Sequence, residues 1–238
     1  MSNNRSLLLG GIAIELQRKR VKRLNVRVYP PDGRVCVSAP VHLSHSVIEQ
    51  ALLSKLDWIR HQQQRACRPV PPRQHIVTGE YHPVAGEQLL LTVFDSVQGR
   101  ARIERPDAQA LHLFCPASTT LERRIALLND WYRHQLHGRI PALIEKWQPI
   151  LRVQVAQYAI RHMRTRWGSC NTSTRRICLN LELAKYPPAC LEYVLVHEMV
   201  HLLEPGHNQR FYTLMGQVLP DGQQQKEILK SGMDHGLP

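Results

Sequence analysis

His197, Glu198 and His201 form an H-E-x-x-H run, and a further histidine, His207, follows closely. On an α-helix, positions four apart sit one turn apart on one face, so the imidazoles of His197 and His201 can reach a single divalent cation. Glu198 is rotated by about 100° from His197. That offset suits it to meet a metal-bound water as a base rather than to ligate. The chemistry so described is zinc-dependent hydrolysis. With 13 His and 12 Glu in 238 residues, chance supplies about 0.04 such runs, the false-positive risk every short motif carries.

The flanks provide the helix that the motif needs. Pro187 and Pro188 precede the apolar-periodic residues Leu191, Val194, Leu195, Met199 and Leu202, and Pro205-Gly206 closes the stretch. Proline at the start and Pro-Gly just past the end are helix start and stop signals. Catalytic zinc usually takes three protein ligands and leaves one position for water. Glu204 and His207 are the nearby candidates for the third. Glu204 falls roughly 7–8 Å along the axis from the midpoint of the first two at 1.5 Å per residue, whereas zinc–ligand bonds are about 2 Å. His207 follows the Pro-Gly break, where the chain can fold back over the metal, and is the expected third ligand. In such a site the zinc lowers the pKa of its water, Glu198 accepts the proton, and the hydroxide attacks a carbonyl carbon. Tyr186, Tyr193 and Tyr212 are all available as oxyanion donors, and the sequence does not choose among them.

The elements that must position these residues read as an α+β chain in two parts. From Ile12 to Pro40 apolar residues alternate, with Pro30-Pro31-Asp32-Gly33 as a turn, which suggests an antiparallel meander. Ser44 or Ser46 can cap a following helix with the stripe Val47, Ala51, Leu52, Leu56 and Ile59. Arg68-Pro69-Val70-Pro71-Pro72 reads as a linker. More strands follow, with Leu89, Leu91 and Val93, then Leu111 to Phe114. This defines an N-terminal β-rich lobe with one helix over 1–118. A catalytic core over 119–238 begins with a long helical pattern that Gly138 and Pro141 divide from a second helix reaching Trp147. Tyr158–Arg166 and Arg176–Leu183 are strand candidates, expected as a hairpin joined by the turn-rich residues from Cys170 to Thr174. The metal helix comes next, then one carrying Phe211, Leu214, Met215 and Val218. No internal repeat is visible. Trp167 is expected in the core and Cys170 as a small buried residue.

The run Arg164-Thr165-Arg166-Trp167-Gly168-Ser169-Cys170, then Ile177-Cys178-Leu179-Asn180, then Leu191 to Glu198 with His201, His207 and Phe211, resembles the YgjP-like zinc metallopeptidases, relatives of the SprT-like proteases. The resemblance covers most of the chain and is strongest from Tyr158 to Phe211. It implies a gluzincin-like metallopeptidase core, one zinc ion held by His197, His201 and His207, Glu198 as catalytic residue, and a peptide or protein substrate.

Composition fits an enzyme of ordinary globular character, with 43% hydrophobic residues. The six cysteines are widely spaced with no C-x-x-C pair, so neither a zinc-finger nor a disulfide framework is indicated. The apolar stretch Leu7–Ile14 is too short to span a membrane and runs into a strand pattern rather than a cleavage site. The cytoplasm is therefore the expected location, with no membrane partner. A net charge of +12 and a pI near 9.8 invite an anionic partner. Basic residues cluster at Arg18–Arg23 and at Arg161, Arg164, Arg166, Arg175 and Arg176. Arg164 and Arg166, alternating on an expected strand, are candidates for holding a substrate carboxylate or phosphate. Three functions follow: a zinc peptidase, a metal-dependent nucleoside triphosphate pyrophosphohydrolase, and a nucleic-acid-associated SprT-like protease.

Overall fold

The apolar alternation around Gly10-Gly11 folds as a hairpin. β1 (Asn4–Leu9) and β2 (Ile12–Lys19) pair antiparallel, and the two glycines turn the chain at φ 56° and 82°. Consecutive positive φ values match the twist of paired strands, and glycine adopts them without steric cost. The computed structural model describes residues 4–29, 32–66, 75–95 and 100–234. Pro30, Pro31, Cys67 and the expected linker Arg68–Pro72 lie outside the described residues.

β3 (Asn25–Tyr29) and β4 (Arg34–Pro40) form a second hairpin, but β4 lies parallel to β2, giving the order β1-β2-β4-β3. The expected meander is thus corrected to two hairpins joined by a crossover. Alternation dictates which face a strand buries, not which strand it pairs with. Arg18 reinforces the parallel pairing by donating to the carbonyls of Pro40 and Leu43. The single expected helix is two, α1 (His45–Leu53), capped by Ser44, and α2 (Leu56–Ala66). Ile48, Leu52 and Ile59 bury against Ile14, Leu16, Val35 and Val37.

The next four strands repeat this plan. β5 (Tyr81–Val84), β6 (Glu87–Asp95), β7 (Arg102–Glu104) and β8 (Ala110–Cys115) form a sheet of order β5-β6-β8-β7, with β6 and β8 parallel. Its first turn, Ala85-Gly86, has φ 53° and 89°, the counterpart of Gly10-Gly11. Pro40 precedes the helix cap Ser44 as Pro116 precedes the cap Thr120. The repeat lies in topology and turn conformation, with side chains too different for the sequence to show it.

α3 (Leu121–Leu151) runs through Pro141 and Pro149 as one helix, which corrects the expected break near Gly138. A proline removes one helical hydrogen bond, but Leu136, Ile140, Trp147 and Leu151 are buried on both sides of Pro141 and hold the axis. β9 (Gln157–Arg161), β10 (Gly168–Asn171) and β11 (Arg176–Asn180) form a sheet of order β10-β11-β9. The hairpin is β10–β11, and β9 joins β11 in parallel. The strands expected over Tyr158–Arg166 and Arg176–Leu183 are therefore shorter. A loop follows Arg161, and a 3₁₀ turn, Leu181–Lys185, follows Asn180. Three helices complete the described residues, α4 (Pro188–Val200), α5 (Gln209–Val218) and α6 (Gly222–Asp234).

This α+β chain divides into two compact units, Met1–Arg73 and Gln74–Pro238. The boundary expected after residue 118 falls inside the second. Leu89, Leu91, Leu111 and Leu113 of β6 and β8 share one core with Leu128 and Tyr132 of α3 and Leu195 and Met199 of α4. Among the described residues, no helix is long and apolar enough to cross a membrane.

Candidate metal centre

α4 is apolar nearly all round. Cys190, Leu191, Val194, Leu195, Val196, Met199 and Val200 are buried, which makes it the central helix of its unit. Its start is fixed by Pro187 and Pro188, and by the Ala85-Gly86 turn, whose N–H groups donate to the carbonyls of Ala184 and Lys185 at 2.9 and 3.0 Å. Its middle is tied to α3 through Glu192, whose Oε1 accepts from Lys146 Nζ at 2.7 Å and Trp147 Nε1 at 2.8 Å. Although burial acts the other way, these donors hold the Glu192 carboxyl below the ordinary carboxylate value.

A helix held in this way presents its last turn in a defined place. His197 lies in that turn and His201 is the C-terminal cap, its N–H donating to the His197 carbonyl. The chain then turns through Pro205-Gly206 and brings His207 back. One ring nitrogen from each of His197, His201 and His207 lies within 4.8 Å of the others. His207 Nε2 and His197 Nε2 are 3.0 Å apart. Beneath them, the fully buried Phe211 of α5 packs against all three rings, with centroids 4.9, 4.7 and 4.7 Å away. Asn208 caps α5 by accepting from the Phe211 N–H and so sets that floor in place.

The protonation states suit a cation. Burial, followed by repulsion from His201, His207 and Lys226, pushes the His197 imidazole down to about 4. Burial also lowers His201, against the hydrogen bond it makes to the Glu204 carbonyl. Both rings are neutral at pH 7, the form that ligates. The Glu204 carbonyl is 3.1 Å from His201 Nδ1 and can only accept, so Nδ1 carries the proton and Nε2 is left free for a metal. Three imidazoles converging from a helix end and a turn fit a borderline-soft divalent ion such as zinc. The Glu204 carboxylate turns away and lies 3.9 Å from Arg210 Nη1.

Glu198 is 5% exposed and is pushed up to about 7 by burial, against the nearby positive charge of Arg166. Arg166 and Arg164 are both exposed and stand in the loop between β9 and β10, not on a strand, so the alternation that paired them does not apply. Only Arg166 acts on Glu198.

That loop is organised by Asn180, a fully buried residue at the end of β11. Its Nδ2 donates to the carbonyls of Met163 and Arg166, both at 2.9 Å, and its Oδ1 accepts from the N–H groups of Met163 and Glu182. Trp167 lies in the core, donates from Nε1 to the Leu229 carbonyl of α6 at 3.1 Å and packs on Tyr186. Tyr186 is thereby placed in the core packing, whereas Tyr193 and Tyr212 neighbour His197 and His207. Cys170 is half-buried, its thiol pushed up to about 11 by burial and then by the Glu198 charge.

Asn180 was legible only as part of a strand motif, since nothing in a lone Asn announces four hydrogen bonds. α6 escaped the sequence reading because its glutamine-rich stretch carries only Ile228 and Leu229 as core-facing signals.

An α+β unit that brings three imidazoles together at the end of its central helix, with a buried carboxyl group on that same helix, has the make-up of a metal-dependent hydrolase. The chain belongs to the YgjP-like family, whose metallopeptidase domain matches residues 22–232. By that membership it is a metal-dependent peptidase. A solved structure with some likeness is the metallopeptidase zymogen abylysin of Pyrococcus abyssi, 18% identical, covering 42% of this chain and 99% of that one, with a TM-score of 0.37. No curated protein matches the chain in sequence.

Proposed function

We propose that the chain is a zinc-dependent peptidase in which His197, His201 and His207 hold the ion and Glu198 is the general base. The observation that carries this reading is the convergence of three ring nitrogens within 4.8 Å beside a nearly inaccessible carboxyl group. A zinc ion bound there supplies Lewis acidity toward a carbonyl oxygen and acidifies a coordinated water.

The chain's own residues do the rest. Phe211 packs against all three imidazoles and so restricts approach to the ion from its side. Glu198, with a proton affinity raised by burial, accepts the proton of the attacking water and returns it to the leaving amine. Arg166, whose charge reaches Glu198, is the residue assigned in this reading to meet a substrate carbonyl or carboxylate, and Arg164 serves at most further along the same loop. β10 is an edge strand of its sheet. Its free backbone groups can pair with an extended peptide and lay it across the centre.

An all-imidazole donor set argues against phosphoanhydride hydrolysis, which usually recruits magnesium through carboxylates and substrate phosphates. Replacing Glu198 by Gln keeps the volume and removes the base. Glu198→Gln is expected to retain one zinc per chain by elemental analysis while peptide turnover falls by about 10²–10⁴-fold. Undiminished turnover would reject Glu198 as the base.

A further inference from the structure

We propose that Gly168 is a positioning residue for Glu198: the missing side chain at the start of β10 is the seat in which the carboxylate rests. This inference rests on Glu198 being the base. A Cβ at residue 168 would stand 2.6 Å from Glu198 Oε1, 2.8 Å from Cγ and 3.0 Å from Cδ. Three atoms of one side chain thus occupy the space that any other residue would fill.

Backbone conformation gives no other reason for glycine here. Gly10, Gly11, Gly33, Gly79 and Gly86 adopt positive φ, but Gly168 does not. Glycine inside a strand weakens it and marks a close approach from outside. The approaching group is the Glu198 side chain.

Neither backbone can retreat. Gly168 sits in register opposite Leu179 of β11, and the Trp167 carbonyl before it accepts from the Asn180 N–H at 2.8 Å. The Trp167 side chain is anchored to α6. On the other side, Glu198 is carried by α4 between His197 and His201, whose places are set by the centre itself. A methyl group at 168 therefore displaces the carboxylate rather than the strand, while the three imidazoles stay where they are. Chemistry suffers and metal binding does not. Displacement of a catalytic group by about 1 Å costs on the order of 100-fold in rate.

The test compares Gly168→Ala, Glu198→Asp, Glu198→Ala and the doubles Gly168→Ala/Glu198→Asp and Gly168→Ala/Glu198→Ala with wild type. Gly138→Ala serves as control, since a Cβ there meets nothing within 4 Å. Zinc content, melting temperature, and kcat and KM on a randomised quenched-fluorescent peptide mixture are measured. Gly168→Ala is expected to hold zinc as wild type does, with KM little changed and kcat reduced roughly 100-fold. In the Glu198→Asp background, where the shorter acid leaves room, the same alanine costs a much smaller factor. It also lowers the melting temperature when Glu198 is present and not when residue 198 is Ala. A wild-type kcat in Gly168→Ala, or an equal melting penalty in both backgrounds, overturns the proposal. Silence of the zinc-loaded wild type on every peptide instead strikes the peptidase reading, and the melting comparison still decides whether the seat exists.

Discussion

His82 shows how far a single buried residue can depart from its solution behaviour. It is 1% exposed, neither ring nitrogen has a hydrogen-bond partner, and its Nε2 is 3.5 Å from Glu80 Oε2. Burial lowers its pKa below the ordinary 6.5; Glu80 opposes this and Lys185 adds to it. The unfolded chain therefore takes up a proton at His82 before the folded one does. Its contribution to stability is full above pH 6.5 and is lost as pH falls through the lower, folded value. Denaturant unfolding across this range should show wild type losing stability relative to His82→Leu as pH drops, and parallel curves would refute the assignment. At this scale the sequence is an uneven guide. His197, Glu198, His201 and His207 stood out because metal chemistry demands fixed spacing, whereas His82, Gly168 and Asn180 depend on neighbours far away in the chain.

Among the elements, β10 depends on a neighbour more than its four residues suggest. Asn180 holds the loop from Met163 to Arg166 that delivers the chain to Gly168. Truncating it leaves several buried donors and acceptors unpaired, each worth roughly 1–3 kcal/mol. Asn180→Ala is expected to lower the unfolding free energy by about 2–4 kcal/mol in urea, within the range for breaking a buried network. A loss under about 0.5 kcal/mol, the size of an ordinary surface substitution, would show that the loop holds itself. Elements with a clear period, such as α4 and β6, were readable because they bury the leucines and valines that their patterns mark, whereas α6 had too little pattern to show. Pairing partners were not. The parallel neighbours β2–β4, β6–β8 and β9–β11 join segments whose alternation says nothing about which strand lies alongside. Pro141 misled for a related reason, since burial along α3 outweighs one lost hydrogen bond.

For the whole molecule, the two units share a strand order and a turn, yet among the described residues the candidate metal centre lies in the second. Gln74–Pro238 holds every residue of the larger core. A fragment from Gln74 onward is expected to fold and bind one zinc. A fragment beginning at Thr119 lacks the leucine layer of β6 and β8 and should do neither. Circular dichroism and elemental analysis distinguish them, and a folded, zinc-loaded shorter fragment would contradict the shared core. The net charge of +12 was visible at once, but only Arg166 of the expected pair acts on Glu198. Gly86 is pressed so closely on Pro187 that a Cβ would stand 2.8 Å from its ring, and this abutment stops α4 from sliding along its axis. If cadmium took the place of the proposed zinc, its longer coordination bonds would not be met by moving His197 and His201 together. The adjustment would fall on the turn carrying His207, making that histidine the gauge of ionic radius.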